Sequence, residues 1–435
     1  MDFFLNATHG FLELSCQKAY IRYWQHVNNL KQVQQYRLSS ILKQQAYPDL
    51  DYVTFAQHFP LTTYKQWKRK IEQHILHHEH SMGAARIQHY QSAMFEQGQT
   101  QFIPNTDAFI NELDRALSVW IIGLYQQYPQ LKKTTQYWEG PIGSQLEMPQ
   151  QKVVNNMGLS LSKTKRILND ATRAVPVEVG MAKNEQDRLF ATAVYLVADQ
   201  DLGLISVWKP QAILDLLNLI QQERSAIIQV LRTGCWQRTG LSYLPAPKAC
   251  EQSYKLERLS LDTALDWLSI WPKLTVISCQ EYGQAHQAKK TLQHYFPNVN
   301  FETKGIWRKE GIVTLPFQQR HPLAYQSHFY EFIELNTQRV IPSWQLKSGD
   351  VVCPILTTGS GLIRYVLHEI LEVTEFYMQI PCFKYLGSHD LPELYEQGIN
   401  SQIALQLLDT FKYRAIRQNK SQNKYSNSQQ KLSYM

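Results

Sequence analysis

The sequence predicts an α/β fold, and three observations carry that prediction. The first eighty residues read as helix, the centre alternates short apolar runs with helical segments, and the stretch after residue 320 breaks into further short strands. Strand, helix and strand joined by short connections argue for a largely parallel sheet with crossover helices. A chain of 435 residues, 44% of them hydrophobic, can bury a sizeable core. Its length fits two or three domains, or one large domain with a small appendage.

The elements follow in order. Residues 1–80 are polar-aromatic, rich in Gln and poor in Gly. Pro60 breaks them, and Thr62 or Thr63 is placed to cap the helix that restarts there. Residues 86–106 lack helical periodicity and end in a Pro-Asn-Thr turn. Residues 107–128 carry apolar side chains at Phe109, Ile110, Leu113, Leu117, Trp120, Ile121 and Leu124, the spacing of an amphipathic helix. Another helix, with Lys and Arg on its polar side, lies within 153–190. Residues 204–208 form a strand, and Pro210 opens a helix to about residue 231, since proline is tolerated in a first helical turn. A strand over 274–279, a turn at Gly283, a helix over 284–294 and a strand over 299–303 come next. Gly305 and Gly311 bracket a loop before a strand at 312–315, and shorter strands are expected over 329–335, 351–356 and 370–374. After Phe411 the chain is polar and reads as a tail without fixed structure.

Several function classes are excluded. The net charge is +7 and only 19% of residues are charged, with Lys and Arg spread out. That is no nucleic-acid binder's footprint, but it suits anionic small molecules or nucleotides. No apolar run approaches the roughly 18 residues of a membrane span. The first residues lack the basic n-region of a secretory signal. Cys16, Cys235, Cys250, Cys279, Cys353 and Cys382 lie far apart with no CxxC, so reduced thiols are expected. The expectation is a soluble cytoplasmic protein with neither nucleic acid nor membrane as partner.

Chemistry-bearing clusters are sparse. His74, His77 and His78 share a helix face ahead of Glu79 and His80. No distant ligand completes them by spacing, and a solvated His-rich helix end accounts for them. Thr357 to Gly361 does not match a Gly-x-Ser-x-Gly elbow, so Gly359 and Gly361 read as a flexible turn rather than a setting for a catalytic Ser360. Walker A and GxGxxG motifs are absent. Glu310 and Glu369 each lie at or beside a predicted strand end, where open α/β sheets bind ligands. Two exposed loop glutamates are the equally weighted alternative.

A series of segments over roughly residues 35–400 resembles the GH3-type acyl-acid amido synthetases. It runs HFPLTTYKQW (58–67), QFIPNT (101–106), the Trp120 helix with Tyr137-Trp138-Glu139, and LISVWKPQAILDLLNLI (204–220). WPKLTVISC (271–279), FETKGIWRKEGIVTLPF (301–317) and SHFYEFIEL (327–335) continue it. LTTGSGLIRYVLHEILEVTEF (356–376) and PCFKYLGSHDLPELYEQGIN (381–400) complete it. The resemblance implies an acyl-adenylate-forming, firefly-luciferase/GH3-like fold: a large N-terminal domain over 1–385 and a vestigial C-terminal lid with a polar tail over 386–435. It further implies ATP and Mg2+ as cofactors and a small-molecule carboxylic acid and an amine or amino acid as partners, with a carrier or pathway protein as a further candidate.

Site residues follow from the same resemblance. In the phosphate segment Ser92, Gly98 and Thr100 keep the expected chemistry, whereas Met94, Phe95 and Glu96 are bulky or acidic and Gln101 stands where the family has Lys. Lys309-Glu310-Gly311 matches a Thr-Glu-Gly motif, with Glu310 as the Mg2+ ligand. Tyr365 to Glu369 matches Tyr-Arg-Leu-Gly-Asp, so Glu369 would hold the ribose, with Arg364 and Tyr365 beside it. Trp120, Trp208, Phe329 and Tyr330 are candidates for the acyl pocket, with ordinary core as the other reading. The lid segment reads Glu396-Gln397-Gly398, and Lys412, Lys420 and Lys424 are the lysines left for a lid's catalytic role.

Three functions stay open. One is an atypical ligase activating an acid and conjugating it to an amine. The second is an ATP-independent acyl transferase in specialised metabolism, with His368 or His389 as general base. The third is a non-catalytic binding protein.

Overall fold

The computed structural model describes residues 2–77, 81–82, 85–94, 100–139, 161–281 and 285–388. Four helices open the chain: α1 (Asp2–Gln25), α2 (Leu30–Gln44), α3 (Tyr52–His58) and α4 (Tyr64–Leu76). The restart after Pro60 is capped at Thr63, whose N–H donates to Gln66 Oε1 at 2.7 Å. The non-helical stretch then forms antiparallel strands β1 (Ser81–Met82), β2 (Ala85–Met94) and β3 (Thr100–Thr106). Thr106 ends that sheet and starts α5 (Asp107–Gln127), its side chain accepting from Phe109 N–H at 3.1 Å.

The central parallel sheet has the order β4 (Thr135–Trp138), β5 (Leu202–Ser206), β6 (Val276–Cys279), β7 (Asn300–Thr303). Crossovers carry α6 (Lys163–Asp170) and α7 (Glu185–Ala198), then α8 (Gln211–Gln222), α9 (Arg224–Thr233), α10 (Gln252–Arg258) and α11 (Ala264–Ile270), then α12 (Ala285–Tyr295). The single helix expected from Pro210 to about residue 231 is two. Glu223 leaves the helical conformation between them, and the turn lets Ile213, Leu217 and Ile220 of α8 and Ile227, Val230 and Leu231 of α9 enter one core.

Beyond the parallel sheet the topology changes. A small hairpin of β8 (Trp307–Arg308) and β9 (Gly311–Ile312) replaces the strand expected over 312–315. An antiparallel sheet follows, built of β10 (Phe329–Glu334), β11 (Val340–Pro342), β12 (Val351–Thr357), β13 (Tyr365–Val366), β14 (Glu369–Tyr377) and β15 (Ile380–Ser388). Its order is β11-β10-β12-β14-β15, with β13 on β12. Parallel pairing is therefore confined to β4–β7, and the other described strands pair antiparallel, so the expectation of a largely parallel sheet holds only for the centre. Of the expected lid, only residues 386–388 are described, as the end of β15; the remainder, with the lid lysines, His389 and the tail, lies outside the described residues.

Two large cores result. One lies between α7–α12 and the parallel sheet. The other joins α1, α5 and the antiparallel sheet, and includes Trp120 and Tyr330. Among the described residues no helix is long and apolar enough to cross a membrane.

Candidate active site

The site builds from the tip of the β8–β9 hairpin. Arg308 and Glu310 flank that tip, and the start of β14 brings Glu369 against it. Arg308 Nε donates to Glu369 Oε1 in an ion pair, and the Glu369 side chain is 5% exposed. Glu369 Oε2 is buried without a hydrogen-bond partner among the described residues. Glu310 is 8% exposed. Burial pushes its carboxyl pKa up and the charge of Glu369 adds to that, while Arg308 and His368 pull it down. The two glutamates are thus buried together around one guanidinium, and the exposed-loop reading of them is corrected. Lys309 is half-buried, its ammonium pKa lowered by burial against the pull of Glu310.

Neighbouring elements close on this cluster. Thr62, just before α4, pairs with β13: its N–H donates to Arg364 O and its carbonyl accepts from Val366 N–H, both at 2.9 Å. That register seats Tyr64 and Tyr365 near Glu310; burial raises both phenols, and Glu310 raises them further. Tyr64 OH accepts from Phe102 N–H on β3 at 2.9 Å. It thereby ties the hairpin of the phosphate segment to the carboxylates. In that hairpin the backbone of Ser92 pairs with Phe102 and that of Thr100 with Met94. Their side chains, and Gly98, lie outside the described residues.

A buried dyad sets the back wall. Glu112 on α5 is 2% exposed and His328, just ahead of β10, is fully buried. Glu112 Oε2 lies 2.7 Å from His328 Nδ1, and both Glu112 oxygens accept from Gly359 N–H, at 3.0 and 2.9 Å. Ile312 N–H donates to His328 Nε2 at 3.2 Å, which assigns the proton to Nδ1. Gly311 has φ +156°, and a Cβ there would sit 2.8 Å from His328 Nε2. The dyad therefore fixes the hairpin and the Gly359 turn at once. Thr106 Oγ1 and Gln45 Nε2 also donate to Gly359 O, at 2.6 and 3.1 Å. The turn expected to be flexible is buried and held from three sides.

Other predicted residues are placed apart. Arg364 grips Glu331 with two bonds of 2.9 Å and donates to Ala56 O and Phe59 O at 2.9 and 2.6 Å. Its guanidinium fastens the end of α3 to the antiparallel sheet. Phe329 packs with Phe55 and Leu38, and Tyr330 OH donates to Ile312 O at 2.6 Å. Both are fully buried in the core, as is Trp120. Trp208 is partly buried at the end of β5. His74 and His77 lie at the end of α4, and His78, Glu79 and His80 are outside the described residues. Among the described residues no group of three or more His, Cys, Asp or Glu is placed to hold a metal by itself.

Sequence reasoning passed over Arg308, Tyr64, Glu112, Glu331 and His328. Glu112 alone left a local signal, a carboxylate on the apolar stripe of α5 between Phe109 and Leu113.

Comparison with known proteins bears on the fold and the family. The GH3 family central domain matches residues 321–388. A solved structure titled GH3.15 acyl acid amido synthetase has TM-score 0.68 at 17% identity, over 85% of this chain and 70% of that one. Another, titled AtGH3.15 acyl acid amido synthetase in complex with 2,4-DB, has TM-score 0.71 at 19% identity, over 86% and 71%. No curated protein sequence matches the chain. The GH3 family N-terminal domain matches residues 22–301, more than half of the sequence, and the chain belongs to the GH3 family.

Proposed function

We propose that the protein is an acid–amine ligase that activates a carboxylic acid as its adenylate and passes the acyl group to an amine or amino acid. A carboxylate is a poor electrophile. In the first step its oxygen attacks the α-phosphorus of ATP and pyrophosphate leaves. In the second the amine nitrogen attacks the acyl carbon, the bond to AMP breaks, and the amine's surplus proton passes to a base. His368, close enough to Glu310 to shift its titration, is the candidate base.

The observation that carries the reading is Glu369 Oε2, a buried acceptor lacking a donor beside Arg308 and Glu310. A ribose hydroxyl would supply that donor. Mg2+ is commonly held by one or two carboxylates together with substrate phosphates, which suits Glu310. When bound, the ion neutralises phosphate charge, and Lys309 would add to that from the same tip. Arg364 has no part in this scheme, because its guanidinium is committed to Glu331 and the end of α3. The reading puts the enzyme in the cytoplasm, and residues 386–435 would belong to its C-terminal lid. The altered phosphate segment suits a specialised acid–amine pair, delivered free or on a carrier protein.

Acid-dependent exchange of pyrophosphate into ATP tests this. Exchange with some member of a carboxylic-acid panel, lost in Glu310→Ala, is expected. Turnover of acyl-thioesters or acyl-phosphates without nucleotide would replace the ligase with a transferase. Acid binding without exchange or turnover would leave a binding protein.

A further inference from the structure

The β8–β9 hairpin is anchored by a feature outside the site. Lys304 follows β7 at the carboxyl end of the parallel sheet and is 1% exposed. Its ammonium donates to Ser206 Oγ at the end of β5, at 2.7 Å. It lies 5.4 Å from the ring centroid of Trp120, 5.9 Å from Trp138, 5.6 Å from Trp208 and 5.4 Å from Trp307. These indoles come from α5, β4, the segment after β5, and β8. Glu139, Glu302 and Cys279 act on the ammonium through space. Four ring faces thus hold a buried charge that would otherwise be costly.

Trp307 begins the hairpin, and its Nε1 donates to Thr314 O at 2.8 Å. Ile306 N–H donates to Thr314 Oγ1 and Val313 N–H to Ile306 O, each at 2.8 Å. Three hydrogen bonds therefore close the base of the hairpin, and its tip carries Arg308 and Glu310. We infer that Lys304 is a positioning residue: its ammonium gathers four indoles from four elements and so fixes the hairpin that presents Glu310 to Glu369. The placement of the hairpin stands on the structure alone; its consequence for nucleotide binding rests on the proposed ligase reading.

The test pairs Lys304→Leu with Lys304→Arg and follows amide hydrogen exchange across residues 305–314, thermal stability, and Mg-ATP binding. In Lys304→Leu the melting temperature should change little, the lost ring contacts and Ser206 bond being offset by the removal of a buried charge. Exchange over 305–314 should accelerate about tenfold or more while β10 is unchanged. Mg-ATP affinity should fall with it, and Lys304→Arg should restore both. Should Lys304→Leu not fold, Trp307→Leu should release the same hairpin with the charge left in place. Wild-type protection of 305–314 in these variants would overturn the proposal, whether or not Mg-ATP binds. Accelerated exchange in a protein whose wild type binds no Mg-ATP would keep the positioning role and remove the ligase reading.

Discussion

The parallel and antiparallel halves of the molecule are held together by different physics. Around the parallel sheet the core is aliphatic and aromatic: Ile205, Leu217, Val230, Ile277 and Leu292 interdigitate beneath the crossover helices. Such burial is non-directional, and it tolerates change so long as volume is kept. Around the antiparallel sheet the interior is threaded by directional charged groups: Glu331 with Arg364, Glu112 with His328, and Arg308 with Glu369. These tolerate little, because each partner removed strands a buried charge or polar atom. The apolar core beneath the parallel sheet tolerates exchange of like volumes, whereas the antiparallel half depends on its paired charges.

Substitutions can break or sharpen that contrast. The largest effect is expected for Arg364→Leu, which strips Glu331 of its ion-pair partner in the core. Denaturant unfolding should show a loss of about 3–5 kcal/mol. Next comes Glu302 of the edge strand β7, a half-buried residue with Oε2 turned out of solvent, whose pKa burial raises to about 7. Its folded pKa lies above the unfolded value, so its contribution to stability is present below about pH 4.5 and lost as pH rises through 7. Glu302→Gln should therefore stabilise at pH 8, by at most about 3 kcal/mol, and give nothing at pH 4. A melting-temperature difference independent of pH would remove this assignment.

Smaller effects follow. Glu112→Gln keeps the shape of the dyad but loses acceptor strength, and should cost about 1–3 kcal/mol. Its sharper readout is weakened Mg-ATP binding, because the hairpin and the Gly359 turn share that carboxylate. Ile277→Val in the parallel half should cost about 0.5–1.5 kcal/mol and leave ligand binding untouched. Equal effects of these last two on binding would dissolve the contrast between the halves.

The same contrast governs what could be read in advance. Hydrophobic periodicity is local, so α5, β5, β6, β7 and α12 were legible from spacing, whereas β4 was not read as a strand. The break at Glu223 was not, because both flanking segments are helical and only packing decides the bend. Glu310 and Glu369 stood out by their places near strand ends and their motif matches. Their burial around Arg308 depends on a pairing across 61 residues, and the Gly359–Glu112 bond spans 247. Spacing carries no trace of contacts that distant. Gly359 and Gly361 suggested a loose turn by composition, yet Thr106, Gln45 and Glu112 hold Gly359 from three separate elements.

Arg308, Glu310 and Glu369 are proposed to form a nucleotide site. Calorimetric titration of Mg-ATP and of a non-hydrolysable acyl-adenylate analogue into the purified protein tests it most directly, with Glu310→Ala and Glu369→Ala as controls. Micromolar binding of the analogue, lost in both variants while each remains folded, is the predicted result. No binding at millimolar nucleotide, or binding indifferent to both substitutions, would contradict it.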